Sequence, residues 1–257
     1  LLVDKDAGPE LQAQAATTLG LLGEHGAVAA LRRALGESAD VGVQLAAASS
    51  LRLLGDGSGE AALVKLLDSK QAEAQFRSSL LLCNSGPAEA QKRGRDLLRE
   101  YAKRDGVPDE IKLDIWTCLA RGGDEAARSA LQAKLQAVGP VAQRIVAAGR
   151  LAQLGDSAAR AFLTDIVRKK APEQLLAARL LSGPDEPSFR PLFREVVGAS
   201  HAAVPTRVLS SEGLGASAES FDARLLGTLL EPPIDAPLRQ AAAAAILQLA
   251  AQDPSAW

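Results

Sequence analysis

Two segments of the chain have nearly the same sequence and begin 32 residues apart. Residues 19–35 read LGLLGEHGAVAALRRAL, and residues 51–67 read LRLLGDGSGEAALVKLL. A third copy, LAQLGDSAARAFLTDIV, occupies residues 151–167. Self-similarity at a period of roughly 20–50 residues is typical of proteins built from stacked repeats, because each period is one supersecondary unit. We therefore expect a stack of similar units.

Each unit has a glycine between two apolar-periodic segments. These glycines are Gly23, Gly55, Gly86, Gly123, Gly155, Gly183 and Gly215. A glycine suits the left-handed conformation that commonly follows the last turn of a helix. An acid or a proline usually comes next, as at Asp56 and Pro87, and both residue types favour the start of a helix. The pattern thus predicts an antiparallel helix pair in each unit.

The number of units follows from these glycines. The first helices of the pairs are predicted near residues 9–21, 40–54, 71–84, 107–121, 140–154, 172–182 and 201–213. The second helices are predicted near residues 26–37, 59–69, 88–103, 124–138, 157–170, 187–198 and 217–230, and a closing helix near 235–251. Only 3% of residues are aromatic, and Ala and Leu, which favour helix, supply much of the apolar content. We predict an all-α protein, an α-solenoid of about seven stacked antiparallel helix pairs plus a closing helix, as a single domain over residues 1–257.

The sequence of these pairs resembles that of the HEAT-repeat superfamily. The resemblance is carried by A-x-x-L-x-x-L-G-[DE] runs at residues 16–24, 48–56 and 148–156. It is most similar to the short HEAT-like repeats first described in bilin lyases of cyanobacteria, which implies a bacterial protein. Solenoids of this superfamily mostly serve as protein-binding scaffolds, so the resemblance implies that role and no particular chemistry.

Composition and motifs argue against several activities. The net charge is -2, whereas nucleic-acid binders usually have a basic excess. No apolar run approaches the ~18 residues that a membrane helix needs. No phosphate-binding Gly-x-x-x-x-Gly-Lys-[Ser/Thr] or Gly-x-Ser-x-Gly motif is present. His25 and His201 belong to distant repeats, so no metal site is predicted. We expect no catalytic residue and no cofactor.

The two cysteines belong to first helices of adjacent repeats. A disulfide needs Cα atoms within ~7 Å, which is closer than neighbouring helix axes usually approach. We therefore predict that Cys83 and Cys118 are buried free thiols. Because the chain begins without Met, we expect the natural protein to be longer. The compartment is left open, with the cytoplasm favoured over an extracytoplasmic location.

One basic pattern recurs along the predicted second helices. Its members follow core leucines and should face outward, on the side that is concave in HEAT-like stacks; they are Arg32, Lys65, Arg95 and Lys134, with Arg99 one turn beyond Arg95. A row of this kind could bind an acidic protein segment. The alternative interpretation is a solvated face of mixed charge.

Trp116 is a further candidate. It occupies a position that Ala16, Ala48 and Ala148 occupy in other repeats. Its ring is expected either to pack within the stack or to anchor a partner.

These observations favour a non-enzymatic scaffold for protein–protein interactions. We expect it to be a monomer that binds another protein, with an acidic segment, on its concave face. No nucleic acid and no membrane insertion are expected. Two alternatives stay open: a bilin-lyase-like enzyme or chaperone, and a nucleic-acid-binding protein similar to the HEAT-like DNA glycosylases.

Overall fold

A computed structural model describes residues 2, 7–183, 187–216, 222–231 and 233–252, and all regular structure within them is helical. The helices of the first part of the chain are α1 (Pro9–Leu21), α2 (Val28–Glu37), α3 (Val41–Leu53), α4 (Gly57–Leu66), α5 (Ala72–Leu82), α6 (Ala88–Ala102) and α7 (Asp109–Arg121). Those that follow are α8 (Glu125–Gln136), α9 (Val141–Gln153), α10 (Ser157–Arg168), α11 (Gln174–Leu181), α12 (Arg190–Gly198), α13 (Val204–Ala216), α14 (Asp222–Gly227) and α15 (Ala236–Gln252). Short 3-10 turns, His25–Ala27 and Pro187–Phe189, precede α2 and α12.

This order of helices confirms the predicted all-α architecture of paired, mutually packed helices. Of the seventh predicted second helix, residues 217–221 lie outside the described residues, α14 covers Asp222–Gly227, and residues 228–230 are not helical. The chain divides into two compact units, Leu1–Arg128 and Ser129–Trp257. The interpretation as a single domain stays a prediction.

The glycines between paired helices mostly have the predicted backbone conformation. Gly23, Gly55, Gly86, Gly123 and Gly155 have φ values from 68° to 92°. Gly215 was wrongly predicted to lie between two helices. It is a buried residue within α13, where an added Cβ would lie 2.7 Å from the Cα of Ala245 in α15. Glycine is needed at position 215 because α13 and α15 pack closely at this point. Gly183, which was also predicted to lie between two helices, does not have a positive φ.

Acidic residues that follow these glycines cap the second helices, as the sequence predicts. The carboxylate of Asp56 accepts a hydrogen bond from the backbone N–H of Ser58, at 3.0 Å. Asp124 and Asp156 accept from the N–H groups three residues ahead, at 3.1 and 2.9 Å. Such bonds satisfy donors that a helix N-terminus otherwise leaves unpaired.

The first unit is held together by apolar side chains shared between successive pairs. A stripe on α3 and its C-cap (Val43, Ala47, Leu51 and Leu54) packs in one cluster with Ala16 of α1 and with Leu31 and Ala34 of α2. Two other residues of α3, Leu45 and Ala48, pack in a second cluster with Leu63, Leu67, Leu82 and Ala90. The hydroxyl of Ser50 donates to the carbonyl of Ala16, at 2.8 Å, where α1 and α3 touch. Each pair thus completes the core of its neighbour.

Cys83 and Cys118 form a disulfide between α7 and the C-cap residue of α5, so the prediction of two free thiols is wrong. Their Cα atoms are 6.3 Å apart, within bonding range. The Nδ2 group of Asn84 donates to the backbone carbonyl of Cys118, at 2.9 Å. A side chain from one repeat therefore reaches the backbone of the next at this point. Helix axes at the usual spacing of ~8–10 Å still allow such a bond, because each Cα lies about 2.3 Å from its helix axis.

The second unit has its own apolar core around the fully buried ring of Phe193. The other large buried members of this core are Val197, Leu214, Leu226, Leu229, Leu238 and Leu249. Arg207, itself buried, donates from Nε and Nη2 to the carbonyl of Val197, at 3.2 and 3.0 Å. A buried guanidinium of this kind needs acceptors, and the end of α12 supplies one.

Candidate interaction surface

The predicted basic row is divided between the two units. Arg32, Lys65, Arg95 and Arg99 lie on α2, α4 and α6 of the first unit, whereas Lys134 lies on α8 in the second unit. Arg32, Lys65 and Arg99 are exposed, and Arg95 and Lys134 are half-buried. We call the four residues of the first unit the basic row from here on.

Arg32 forms an ion pair with Asp56, the residue that caps α4. Its Nη2 atom is 2.5 Å from Oδ2 of Asp56, whose side chain is largely buried. Two side-chain hydrogen bonds lower the pKa of Asp56. The larger effect comes from the hydroxyl of Ser58 and the next from the guanidinium of Arg32. The arginine therefore links the second helix of one pair to the N-terminus of the second helix in the next pair.

Arg99 repeats this arrangement two helix pairs further along the first unit. Its guanidinium lies 2.9 Å from Oδ2 of Asp124, which caps α8, and 2.8 Å from Oδ1 of Asp96. The pKa of Asp124 is lowered mainly by the hydrogen bond from the backbone N–H of Ala127. Burial opposes this effect, and Arg99 lowers the pKa further. Charge pairing within the chain thus offsets two of the four cations in the basic row.

Two more arginine–aspartate pairs join neighbouring second helices. Arg93 of α6 pairs with Asp68, which follows α4, and this bond both lowers the pKa of Asp68 and raises that of Arg93. In the second unit, Nε and Nη2 of Arg194 contact the two carboxylate oxygens of Asp222, at 2.5 and 3.2 Å. The sequence patterns did not predict these two pairs. All four arginine–aspartate pairs between second helices share a spacing of 24 to 28 residues.

Lys65 and Arg95 are the members of the basic row that pair with no carboxylate within the described part of the chain. Lys65 is exposed near the end of α4. The guanidinium of Arg95 lies beside the backbone of Gly122, where an added Cβ would be 2.8 Å from Nη1. These two cations are therefore the ones most open to an anionic partner.

Trp116 lies on α7 and is half-buried, whereas Ala16, Ala48 and Ala148 at the corresponding positions are fully buried. The bulk of the indole agrees with this difference, because the space that holds an alanine methyl cannot enclose it. The prediction that Trp116 anchors a partner stays a prediction.

Neither histidine belongs to a candidate metal-binding group within the described part of the chain. His25 and His201 are exposed, and no cluster of three His, Cys, Asp or Glu side chains occurs among the residues that the structure describes. Within the same residues, no helix is long and apolar enough to cross a membrane.

The structure also shows exposed leucines that the sequence analysis did not identify. Leu11, Leu21 and Leu22 are exposed on or beside α1, and Leu53 is exposed at the end of α3. In the second unit, an open cavity of about 360 Å³ lies along α10. It is lined by Ser157, Arg160, Ala161, Thr164, Asp165 and Arg168.

Comparison with known families agrees with this architecture. A family model described as HEAT repeats matches residues 1–81. The matched range includes α1 to α4 and most of α5, and so contains two of the three A-x-x-L-x-x-L-G-[DE] runs. No curated protein matches the chain. The match over residues 1–81, together with the helix pairs that follow it, supports an assignment to the HEAT-repeat superfamily.

Proposed function

We propose that this protein is a non-enzymatic scaffold that binds another protein across the second helices of its first unit. HEAT repeats commonly mediate protein–protein interactions. The observation that supports the proposal is the basic row, which places cations on three successive second helices, α2, α4 and α6. A partner with an acidic helix or extended segment would meet the cations Lys65 and Arg95 on the adjacent helices α4 and α6.

The cations of the basic row are of two kinds: those paired with a capping carboxylate of the chain, and those open to a carboxylate of a partner. Arg32 and Arg99 neutralise the capping carboxylates Asp56 and Asp124, so their reversal would also weaken the fold. Lys65 and Arg95 have no such role. Reversal of Lys65 and Arg95 alone therefore tests partner binding without disturbing a helix cap.

The test is a variant with Lys65→Glu and Arg95→Glu. A control with Lys70→Glu and Arg77→Glu makes the same change in net charge at exposed positions outside the second helices. Proteins captured from an extract of the native host are compared at about 50 and about 300 mM salt, because exposed charges are screened more strongly at the higher concentration. Circular dichroism of both variants should match that of the wild type.

The expected result is one captured protein that the control retains and that the Lys65 and Arg95 variant loses. Its capture should also weaken at the higher salt concentration, since charges at an interface govern association and its salt dependence. Capture of the same protein at the wild-type level by both variants would show that the basic row is only a solvated face.

A further inference from the structure

The disulfide and one cation of the basic row meet at the turn that follows α7. Gly122 is the C-cap residue of α7, and its backbone N–H donates to the carbonyl of Cys118, at 3.3 Å. The guanidinium of Arg95 lies beside Gly122, where an added Cβ would be 2.8 Å from Nη1. The side chain of Asn84 reaches the same place, since its Oδ1 atom would be 3.1 Å from that Cβ. Gly122 therefore connects Arg95 to one half of the disulfide.

The disulfide is a main link between α5 and α7. These helices make little contact with each other, whereas α1 and α3, the first helices of the first two pairs, pack closely. Cys83 is the C-cap residue of α5, and Cys118 lies in the last turn of α7. Because little else joins α5 to α7, cleavage of the bond leaves the end of α7 less firmly held, and Gly122 with it.

The two sulfur atoms differ in access and in their neighbours. Cys83 is fully buried and Cys118 is half-buried, so an incoming thiolate reaches Sγ of Cys118 rather than that of Cys83. The Nδ2 group of Asn84 lies 3.5 Å from Sγ of Cys118 and would stabilise a thiolate there. The carbonyl oxygen of Leu80 lies 3.6 Å from the same Sγ and accepts from an S–H group once Cys118 is reduced. The surroundings of Cys118 therefore suit both its thiolate and its thiol.

We propose that the Cys83–Cys118 disulfide is a redox site at which a dithiol controls the position of Arg95. A thiolate of the dithiol attacks Sγ of Cys118, the S–S bond breaks, and its electron pair leaves on Sγ of Cys83, which then takes up a proton. The second thiolate of the dithiol attacks its partner sulfur in the mixed disulfide, and the thiolate of Cys118 leaves and is protonated. The dithiol is thereby oxidised to a disulfide, and the protein gains two electrons and two protons.

The effect of this site on partner binding rests on the proposed function. In the oxidised chain, α7 holds Gly122 against Arg95, so the guanidinium is already in place for an acidic segment. Reduction loosens Gly122, and binding then has to order Arg95 as well, which costs affinity. The oxidised chain is therefore the form that binds an acidic partner more tightly.

Hydrogen exchange measured by mass spectrometry tests the redox site without a partner. The folded chain is compared before and after treatment with dithiothreitol, and the N–H groups of residues 122–124 should exchange roughly tenfold faster or more after reduction. The turn at residues 54–56 is the matched control, because its backbone hydrogen bonds have the same spacing and no cysteine lies beside it in the sequence. Unchanged exchange at residues 122–124, an equal rise at both turns, or a bond that dithiothreitol leaves intact would each overturn the proposal.

Phenylglyoxal, which adds to guanidinium groups, reports on Arg95 itself. Its reaction with Arg95 should be roughly threefold faster or more in the reduced chain, because local opening exposes the side chain. Its reaction with Arg33, which is exposed on α2, should not change. The Cys83→Ser, Cys118→Ser variant should react like the reduced wild type, with or without dithiothreitol. Equal reaction of Arg95 in the oxidised and reduced wild type would overturn its control by the disulfide.

A labelled peptide of ten glutamates is the acidic probe for regulation of the basic row. In fluorescence anisotropy at about 50 mM salt, it should bind the oxidised chain at least about threefold more tightly than the reduced chain. Lys65→Glu with Arg95→Glu should abolish its binding in both redox states. Equal binding to the oxidised and reduced wild type would overturn the regulation. A peptide that binds neither form would contradict the proposed function, whereas exchange at residues 122–124 decides the redox site independently.

Discussion

Gly59 of α4 lies against the backbone of Ala48 in α3, where an added Cβ would be 2.3 Å from the carbonyl oxygen of Ala48. The same Cβ would lie 2.7 Å from the backbone nitrogen of Arg52. Backbone atoms cannot move aside as a flexible side chain can, so only glycine allows α3 and α4 to approach this closely.

We expect Gly59→Ala to destabilise the protein by ~1–3 kcal/mol in urea unfolding, because overpacking outweighs the gain in helix propensity of about 1 kcal/mol. Gly36→Ala is the matched control, since Gly36 lies within α2 and an added Cβ there meets nothing within 4 Å. That change should stabilise the protein by ~0.5–1 kcal/mol. A Gly59→Ala protein as stable as the wild type would contradict the close approach.

Equivalent leucines in the first two repeats should differ in their contribution to stability. Leu54 is buried in the first core cluster, so Leu54→Ala should cost ~2–5 kcal/mol through lost contacts and a cavity. Leu22 is exposed, so Leu22→Ala should cost less than ~1 kcal/mol. Denaturant melts of the two variants measure both. Equal losses would show that the two leucines are packed alike.

The disulfide should be detectable by thiol titration. The unreduced, denatured protein should show no free thiol, because Cys83 and Cys118 are paired. The bond joins residues 35 positions apart, and reduction should lower the free energy of unfolding by roughly 3–4 kcal/mol if loop entropy dominates. A Cys83→Ser, Cys118→Ser variant should not respond to reductant. Two titrating thiols would refute the pairing, and their absence would favour an oxidising compartment.

Acid should destabilise the protein through the capping aspartates. The pKa values of Asp56 and Asp124 are lowered in the folded state, so the unfolded chain binds more protons as pH falls. This contribution is complete above the ordinary aspartate pKa and is lost as pH falls through the lower folded values. We expect Tm to fall between about pH 5 and pH 2.

Asparagine at both positions tests that origin, because it still caps a helix but does not titrate. In the Asp56→Asn, Asp124→Asn variant, Tm should depend less steeply on pH over the acid range than in the wild type. A slope equal to that of the wild type would assign the acid sensitivity to other carboxylates.

The sequence by itself determined the repeat, the class of fold and most of the helices. These features depend on local interactions: apolar spacing within a helix, an acid at its N-cap, and a glycine such as Gly55 with φ of 77° after its last turn. Gly215 shows the limit of that reasoning, because the sequence does not distinguish a glycine required by close helix packing from one required by a turn.

Only the tertiary structure decided which side chains of different repeats meet. The pairing of Cys83 with Cys118 and of Arg32 with Asp56 joins residues 35 and 24 positions apart, and the separation of neighbouring helices determines whether such residues touch. The same holds for exposure, since Leu22 and Leu54 have equivalent places in the sequence but different neighbours in space. A repeat pattern specifies the surface of each unit, whereas burial and ion pairing depend on what packs against that surface.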